Sequence, residues 1–182
     1  MERRKTMKKI FILNGSGGVG KDTFVSFVKA YATSIKNDFA IGHTSSINYV
    51  KDVASNIGWR GEKDEKGRKF LSDIKLALSK YDDSPYEHVS RKTLYFLDDD
   101  RFINGVLFID IREPEEIERA KKEFDAQTIL ITSDRIEQVV SNMADAGVYD
   151  YEYDIIIDNS GTLEDLFEAA IEFSKEYIFE KE

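Results

Sequence analysis

Short apolar runs alternate along the chain with longer stretches in which apolar residues recur every three or four positions. Lys9-Ile10-Phe11-Ile12-Leu13 is a nearly continuous apolar run that ends at Asn14-Gly15, the pattern of a strand buried on both faces. Residues 20–36 follow with Phe24, Phe27, Val28 and Tyr31 on one side, which predicts a helix. Further runs predict strands at 39–45, 103–109, 128–132 and 154–157, and helical spacing predicts helices at 114–124, 135–146 and 163–177. The ends of these helices carry their own signals. Pro114 suits a first helical position, and Glu115 and Glu116 suit the positive end of the helix dipole. Ser133 and Thr162 suit N-caps, and Gly147 suits a stop.

Strands that alternate with helices predict an α/β fold, a parallel sheet with helices on both faces. One interval breaks the rhythm: about 60 residues separate the second and third predicted strands, far more than an ordinary crossover. Within it, residues 66–81 place Phe70, Ile74, Ala77, Leu78 and Tyr81 on one helical stripe. Arg68, Ser72, Lys75 and Ser79 form a second stripe with only positive or neutral side chains. Ser84-Pro85-Tyr86-Glu87 reads as a capping box with proline at the first helical position, so a further helix is expected there. There is no internal repeat, and residues 1–182 read as a single domain with this insertion as part of it.

Composition removes several kinds of chemistry. With no cysteine among 182 residues, disulfides, thiolate metal sites and a cysteine nucleophile are excluded. Two histidines, His43 and His88, are too few for a histidine-based zinc centre. A formal net charge of −9 argues against nucleic acid as a partner, which calls for a basic footprint. It leaves room for a small phosphorylated ligand held by a few local cations. No apolar run approaches the roughly 20 residues of a membrane helix. The charged start at residues 1–9 followed by a short apolar stretch does not read as a signal peptide, so a cytoplasmic protein is expected.

Gly15-Ser16-Gly17-Gly18-Val19-Gly20-Lys21-Asp22-Thr23 lies between the first strand and the first helix. Glycines there let backbone amides turn inward around phosphates, and the helix N-terminus adds partial positive charge. Lys21 is placed to reach the β- and γ-phosphates, and Thr23 to face Mg²⁺ or an inner phosphate. Gly15, Gly17 and Gly20 also fit a dinucleotide fingerprint. That motif expects an acidic residue at the end of the second strand, where this chain has Gly42-His43-Thr44-Ser45. Lysine directly after the last glycine, then threonine two residues on, belongs to the triphosphate loop. Asp22 stands where that motif has Ser or Thr; its carboxylate is repelled by phosphates unless it points away or acts through Mg²⁺.

The sequence Gly20-Lys21-Asp22-Thr23 resembles the nucleoside and nucleotide kinase branch of P-loop proteins, and most closely the phage-type deoxynucleoside monophosphate kinases and adenylate-kinase-like proteins. Asn48-Tyr49-Val50-Lys51-Asp52, Arg68-Lys69-Phe70-Leu71-Ser72, Asp110-Ile111-Arg112 and residues 153–161 resemble further segments of that family in order. The resemblance implies a three-layer P-loop fold with a five-stranded parallel sheet ordered 2-3-1-4-5. It makes residues 46–100 the acceptor-binding helical insertion and 133–153 a short lid. ATP and Mg²⁺ are the implied cofactors, and a nucleoside monophosphate, a deoxynucleotide in particular, the implied acceptor.

The resemblance also distributes roles. Gly15, Gly17, Gly18, Val19, Gly20, Lys21, Asp22 and Thr23 would hold ATP. Lys21, Asp110, Arg112 and Arg135 would serve the transfer, with Thr23 and Asp110 toward Mg²⁺. Lys51, Arg68, Lys75 and Arg91 would hold the acceptor. Two departures stand out: Glu113-Pro114-Glu115 follows Arg112 in place of the family's Phe-x-Asn, and Arg135 is the only basic residue before Lys175 in the lid region and beyond. A monophosphate acceptor is already a nucleophile at neutral pH, so the transfer needs charge neutralisation and alignment and no general base. Transfer to a nucleoside or another phosphorylated metabolite, and nucleotide binding with little kinase activity, are the alternatives.

Overall fold

The computed structural model describes residues 7–62, 64–135, 148–149 and 151–179. Five parallel strands, β1 (Met7–Asn14), β2 (Ala40–Ser45), β3 (Asn104–Asp110), β4 (Gln127–Thr132) and β5 (Ile155–Asp158), form one sheet in the order β2-β3-β1-β4-β5. This is the expected α/β architecture and strand order. The register aligns one edge of the sheet: Asp110 pairs with Leu13 of β1 on one side and with Ser45 of β2 on the other, so three carboxyl ends finish level.

Strand alternation assigns the two cores. Phe11 and Leu13 of β1, with Val106 and Phe108 of β3, face α1 (Lys21–Ile35) and the late helix α6 (Leu163–Phe173). The rings of Phe11, Phe24, Phe108 and Phe173 pack there at centroid distances of 5.0–6.4 Å. Ile10 and Ile12, with Leu107 and Ile109, face the opposite layer. That layer contains α4 (Ser84–Asp98) and α5 (Pro114–Phe124), through Tyr86, Val89, Ile117, Ala120 and Phe124. Burying side chains of this size contributes about 2–3 kcal/mol each against the entropy of ordering the chain.

The interval between β2 and β3 holds three helices: α2 (Ser46–Asn56), α3 (Glu65–Tyr81) and α4. One local expectation fails at its last helix. Ser84 is the first helical residue and not the N-cap; the cap is Asp83, with φ 58° and no side-chain cap bond, and Pro85 falls one place later than expected. A tertiary contact displaces the capping box. Arg119 of α5 donates to Glu87 Oε1 at 3.0 Å, pairs with Asp83, and lies 3.8 Å from the Tyr86 ring centroid. Glu87 is thereby turned away from the helix start. At the other end of α4, Lys8 Nζ donates to the carbonyls of Phe96, Leu97 and Asp99 at 2.8–2.9 Å, satisfying acceptors that a helix C-terminus leaves open.

Thr162 and Asp165 do form a reciprocal capping box at α6. The helix expected over 163–177 divides into α6 and a π-helical turn, Ser174–Ile178, with Ser174 Oγ donating to Ala170 O at 2.7 Å. All but Arg135 of the helix expected at 135–146, and its stop at Gly147, lie outside the described residues, as does most of the expected lid. No helix among the described residues is long and apolar enough to cross a membrane.

Candidate active site

The turn from β1 to α1 is shaped by steric necessity at two glycines. At Gly15 (φ +141°) a Cβ would sit 2.5 Å from the Ile131 carbonyl oxygen; at Gly20 (φ +100°) it would sit 2.5 Å from Asn159 Nδ2. Strand β4 therefore presses on one end of the turn and Asn159, just past β5, on the other, and positive φ there favours glycine. Buried Asn14 anchors the entrance: its Oδ1 accepts from Gly15 N at 2.8 Å, and its Nδ2 donates to Tyr153 Oη at 2.8 Å. Tyr153 Oη in turn donates to Val148 O at 2.9 Å, and burial pushes that phenol's pKa up to about 12. Asn159 Nδ2 donates to Val19 O at 2.9 Å and fixes the far end. Ser16 Oγ and Tyr149 Oη share a 2.7 Å hydrogen bond across the turn.

Helix α1 is capped by Gly20 without a side-chain cap bond, and helix N-termini of this kind carry the partial positive charge that binds anions. Lys21 Nζ curls back over the turn and donates to Gly15 O at 2.7 Å and Ser16 O at 3.2 Å. A strand, such a turn, a helix carrying lysine at its start, and the strand order β2-β3-β1-β4-β5 are the arrangement that the sequence resemblance implied.

Beside the turn lies a cavity of about 380 Å³ at the carboxyl ends of β1, β2 and β3. Of the residues named from the sequence, it brings together Gly17, Gly18, Lys21, Asp22, Lys51, Asp110 and Arg112. The remaining lining comes from the end of β2 (His43, Thr44, Ser45) and the start of α2 (Ile47, Asn48). Gly15, Val19 and Gly20 shape the turn without lining the cavity, and Thr23, Arg68, Lys75, Arg91 and Arg135 are not among its lining residues either.

Those five have other surroundings. Thr23 lies in the first turn of α1. Arg68 and Arg91 are exposed on α3 and α4. Lys75 projects from α3 onto the start of α5, where it pairs with Glu113 and, at 3.3 Å, with Glu116. Burial, reinforced by Glu113 and only partly offset by Lys75, pushes the Glu116 carboxyl up to about 7. Burial raises Glu113 too, but Lys75 more than compensates and holds it below the usual range. Arg135 Nη2 donates to Asn159 O at 2.6 Å and to Asn159 Oδ1 at 3.1 Å, the residue whose Nδ2 holds Val19 O.

Sequence reasoning does not single out His43. Its Nε2 lies 3.0 Å from Asp110 Oδ1 and its Nδ1 lies 3.7 Å from Asp22 Oδ1. The hydrogen bond with Asp110 raises the imidazole pKa; burial opposes this, the charges of Asp110 and Asp22 add to it, and Lys21 opposes it. Two histidines far apart in sequence make no metal motif, and that hides what one of them does alone. The available signal is its place at the carboxyl end of a strand, where α/β sheets bind ligands. Asn14 and Tyr149 also escape sequence reasoning, since nothing local marks an asparagine or tyrosine as a loop anchor.

Asp22, His43 and Asp110 each offer a ligand atom, and these three atoms lie within 4.8 Å of one another. The donor set is chemically suited to a divalent cation.

No protein-family model matches this chain, and no curated protein does. Among solved structures it is similar to a shikimate kinase from Aquifex aeolicus, at 13% identity and a TM-score of 0.46, over 92% of this chain and 98% of that one. It is also similar to an APS kinase from Mycobacterium tuberculosis, at 8% identity and a TM-score of 0.43, over 92% and 96% of the two chains. A shikimate kinase from Bacteroides thetaiotaomicron gives 15% identity and a TM-score of 0.40, over 92% and 95%.

Proposed function

We propose that the chain binds ATP at the β1–α1 turn and transfers its γ-phosphoryl group to a small anionic acceptor, with nucleoside monophosphates the first class to test. One observation carries the reading: Lys21, Lys51 and Arg112, from three separate parts of the chain, line one cavity next to the glycine turn. A transfer between two anions requires such a convergence, because both must be held in line while charge between them is neutralised.

The roles follow from position. The turn amides and Lys21 hold the β- and γ-phosphates. Arg112, just past the level end of β3, faces the transferring group, and Lys51 on α2 faces the acceptor. Lys21, Lys51 and Arg112 in the lining favour an acceptor recognised by its negative charge. An acceptor oxygen forms a bond to the γ-phosphorus as the bond from that phosphorus to the β–γ bridging oxygen breaks, and ADP leaves with the bonding pair. When the acceptor is an ionised phosphate no proton has to move in this step. A divalent cation, when bound, supplies further neutralisation of phosphate charge, and Asp110 and Asp22 are the carboxylates placed to hold it. Arg68, Lys75, Arg91 and Arg135 have no assigned part in this reading.

The test is ADP release from ATP with Mg²⁺ against a panel of nucleoside monophosphates, nucleosides and phosphorylated metabolites. Turnover with a phosphorylated acceptor, with a raised acceptor KM in Lys51→Ala, supports the proposal. Tight ATP binding with no turnover across the panel replaces it with a nucleotide-binding protein that lacks kinase activity.

A further inference from the structure

The geometry points to a protein-borne site for a divalent transition ion, made by Asp22, His43 and Asp110 and filled whether or not a nucleotide is present. For its purpose, though not for its existence, this rests on the β1–α1 turn being a phosphate cradle.

Three observations converge. First, the ligand atoms come from three different elements: the start of α1, the end of β2 and the end of β3. The sheet register sets two of them side by side, since Ser45 pairs with Asp110 and His43 with Phe108, two residues back along each strand. Second, the spacings match a coordination sphere. Around an ion with ligands at about 2.1 Å, neighbouring donors lie about 3.0–3.4 Å apart and opposite donors about 4.2 Å apart. His43 Nε2 and Asp110 Oδ1 are 3.0 Å apart, and the three ligand atoms lie within 4.8 Å of one another, about 0.6 Å beyond the span of opposite donors. Asp22, whose side chain is 93% exposed, is free to make up that difference.

Third, the site resolves a conflict that the sequence creates. Asp22 follows Lys21 at the mouth of a turn built for anions, and Asp110 stands across the same cavity. Two carboxylates beside a polyphosphate repel it, and a divalent ion between them offsets that repulsion more than a single protonated imidazole does. Among the described residues this is the only group of three such side chains whose ligand atoms converge.

The imidazole decides which cation. Mg²⁺ prefers an all-oxygen shell and keeps several waters, whereas a nitrogen donor with two carboxylates suits Mn²⁺, Co²⁺ or Zn²⁺. The site therefore selects a transition ion over Mg²⁺.

The test uses Mn²⁺ and the full chain without nucleotide. The chain has two histidines, His43 and His88, so ¹⁵N-correlated imidazole spectra read the site without a mutation. Substoichiometric Mn²⁺ is expected to broaden the His43 ring signals first and to leave those of His88, on α4, sharp. Loss of the free Mn²⁺ electron-spin signal is expected to report one site per chain, weakened at least about tenfold in His43→Gln, and excess Mg²⁺ is expected to displace it poorly. Equal broadening of both rings, or no Mn²⁺ bound at millimolar metal, overturns the inference. ATP binding in EDTA is measured in parallel. ATP binding without Mn²⁺ binding removes the metal site and leaves the nucleotide reading intact; Mn²⁺ at His43 without ATP binding does the reverse.

Discussion

Replacing Lys75 by methionine tests how the helical insertion is fixed to the sheet. The lysine side chain is 14% exposed and holds Glu113, 31% exposed, and Glu116, 16% exposed. Methionine keeps most of the aliphatic stem, so the change removes charge more than volume. What remains is two carboxylates facing each other with no cation. Breaking a fully buried pair by deleting one partner costs about 3–5 kcal/mol. Two effects reduce that here: the partial exposure of Glu113, and the readiness of Glu116, already pushed up to about 7, to stay protonated. The expected loss at pH 7.5 is therefore about 2–3 kcal/mol. For a chain of this size that corresponds to a fall in Tm of roughly 4–10 °C.

Urea unfolding followed by Trp59 fluorescence and far-ultraviolet circular dichroism measures the loss, with an unchanged m-value showing that the unfolded state is not altered. Lys75→Met combined with Glu113→Gln and Glu116→Gln is expected to recover more than half of it, because the orphaned charges are gone. A loss below about 0.5 kcal/mol in the single variant, the size of an exposed ion pair, refutes the reasoning. Because Glu113 directly follows Arg112, the same cluster also holds the end of β3 in place beside the cavity.

The remaining predictions concern the same elements. Glu116 has a folded pKa of about 7 against an ordinary value of 4.5, so the folded state carries the extra proton between these limits. The stability this proton supplies is complete below pH 4.5 and is lost as pH rises through 7; Glu116→Gln should flatten that decline by about 1–2 kcal/mol, read from urea midpoints between pH 5 and 8. An unchanged slope contradicts the assignment. Gly15→Ala should destabilise by at least about 2 kcal/mol, since the Cβ meets the Ile131 carbonyl 2.5 Å away and φ is positive. A variant that melts like the parent means that the turn relaxes freely.

The fold was legible because its signals are local and repeated. Residues 9–13 and Val106-Leu107-Phe108-Ile109 are strands buried on both faces, and a continuous apolar run between turn signals has few other uses. The glycine turn was legible because glycines stand where its backbone takes positive φ, at Gly15, Gly18 and Gly20. Contacts between distant segments were not legible. Ser84 and Glu87 satisfy the capping-box pattern, yet Arg119, 32 residues beyond Glu87, takes the glutamate. Lys75 belongs to a stripe of positive and neutral side chains that reads as an anion-facing surface, and the structure spends it on Glu113 and Glu116. His43 is the converse case: an inconspicuous residue that register carries to the wall of the cavity. Propensity and spacing describe what one element prefers, and they carry no information about what another element brings to it.

Calorimetric titration of the purified chain with ATP and Mg²⁺, beside Lys21→Ala, tests the phosphate cradle most directly. Saturable binding of one nucleotide per chain is expected, weakened at least about tenfold in Lys21→Ala by loss of a charge-assisted contact, with the circular dichroism spectrum unchanged. No saturable binding at millimolar ATP, or equal affinity in the two proteins, contradicts it.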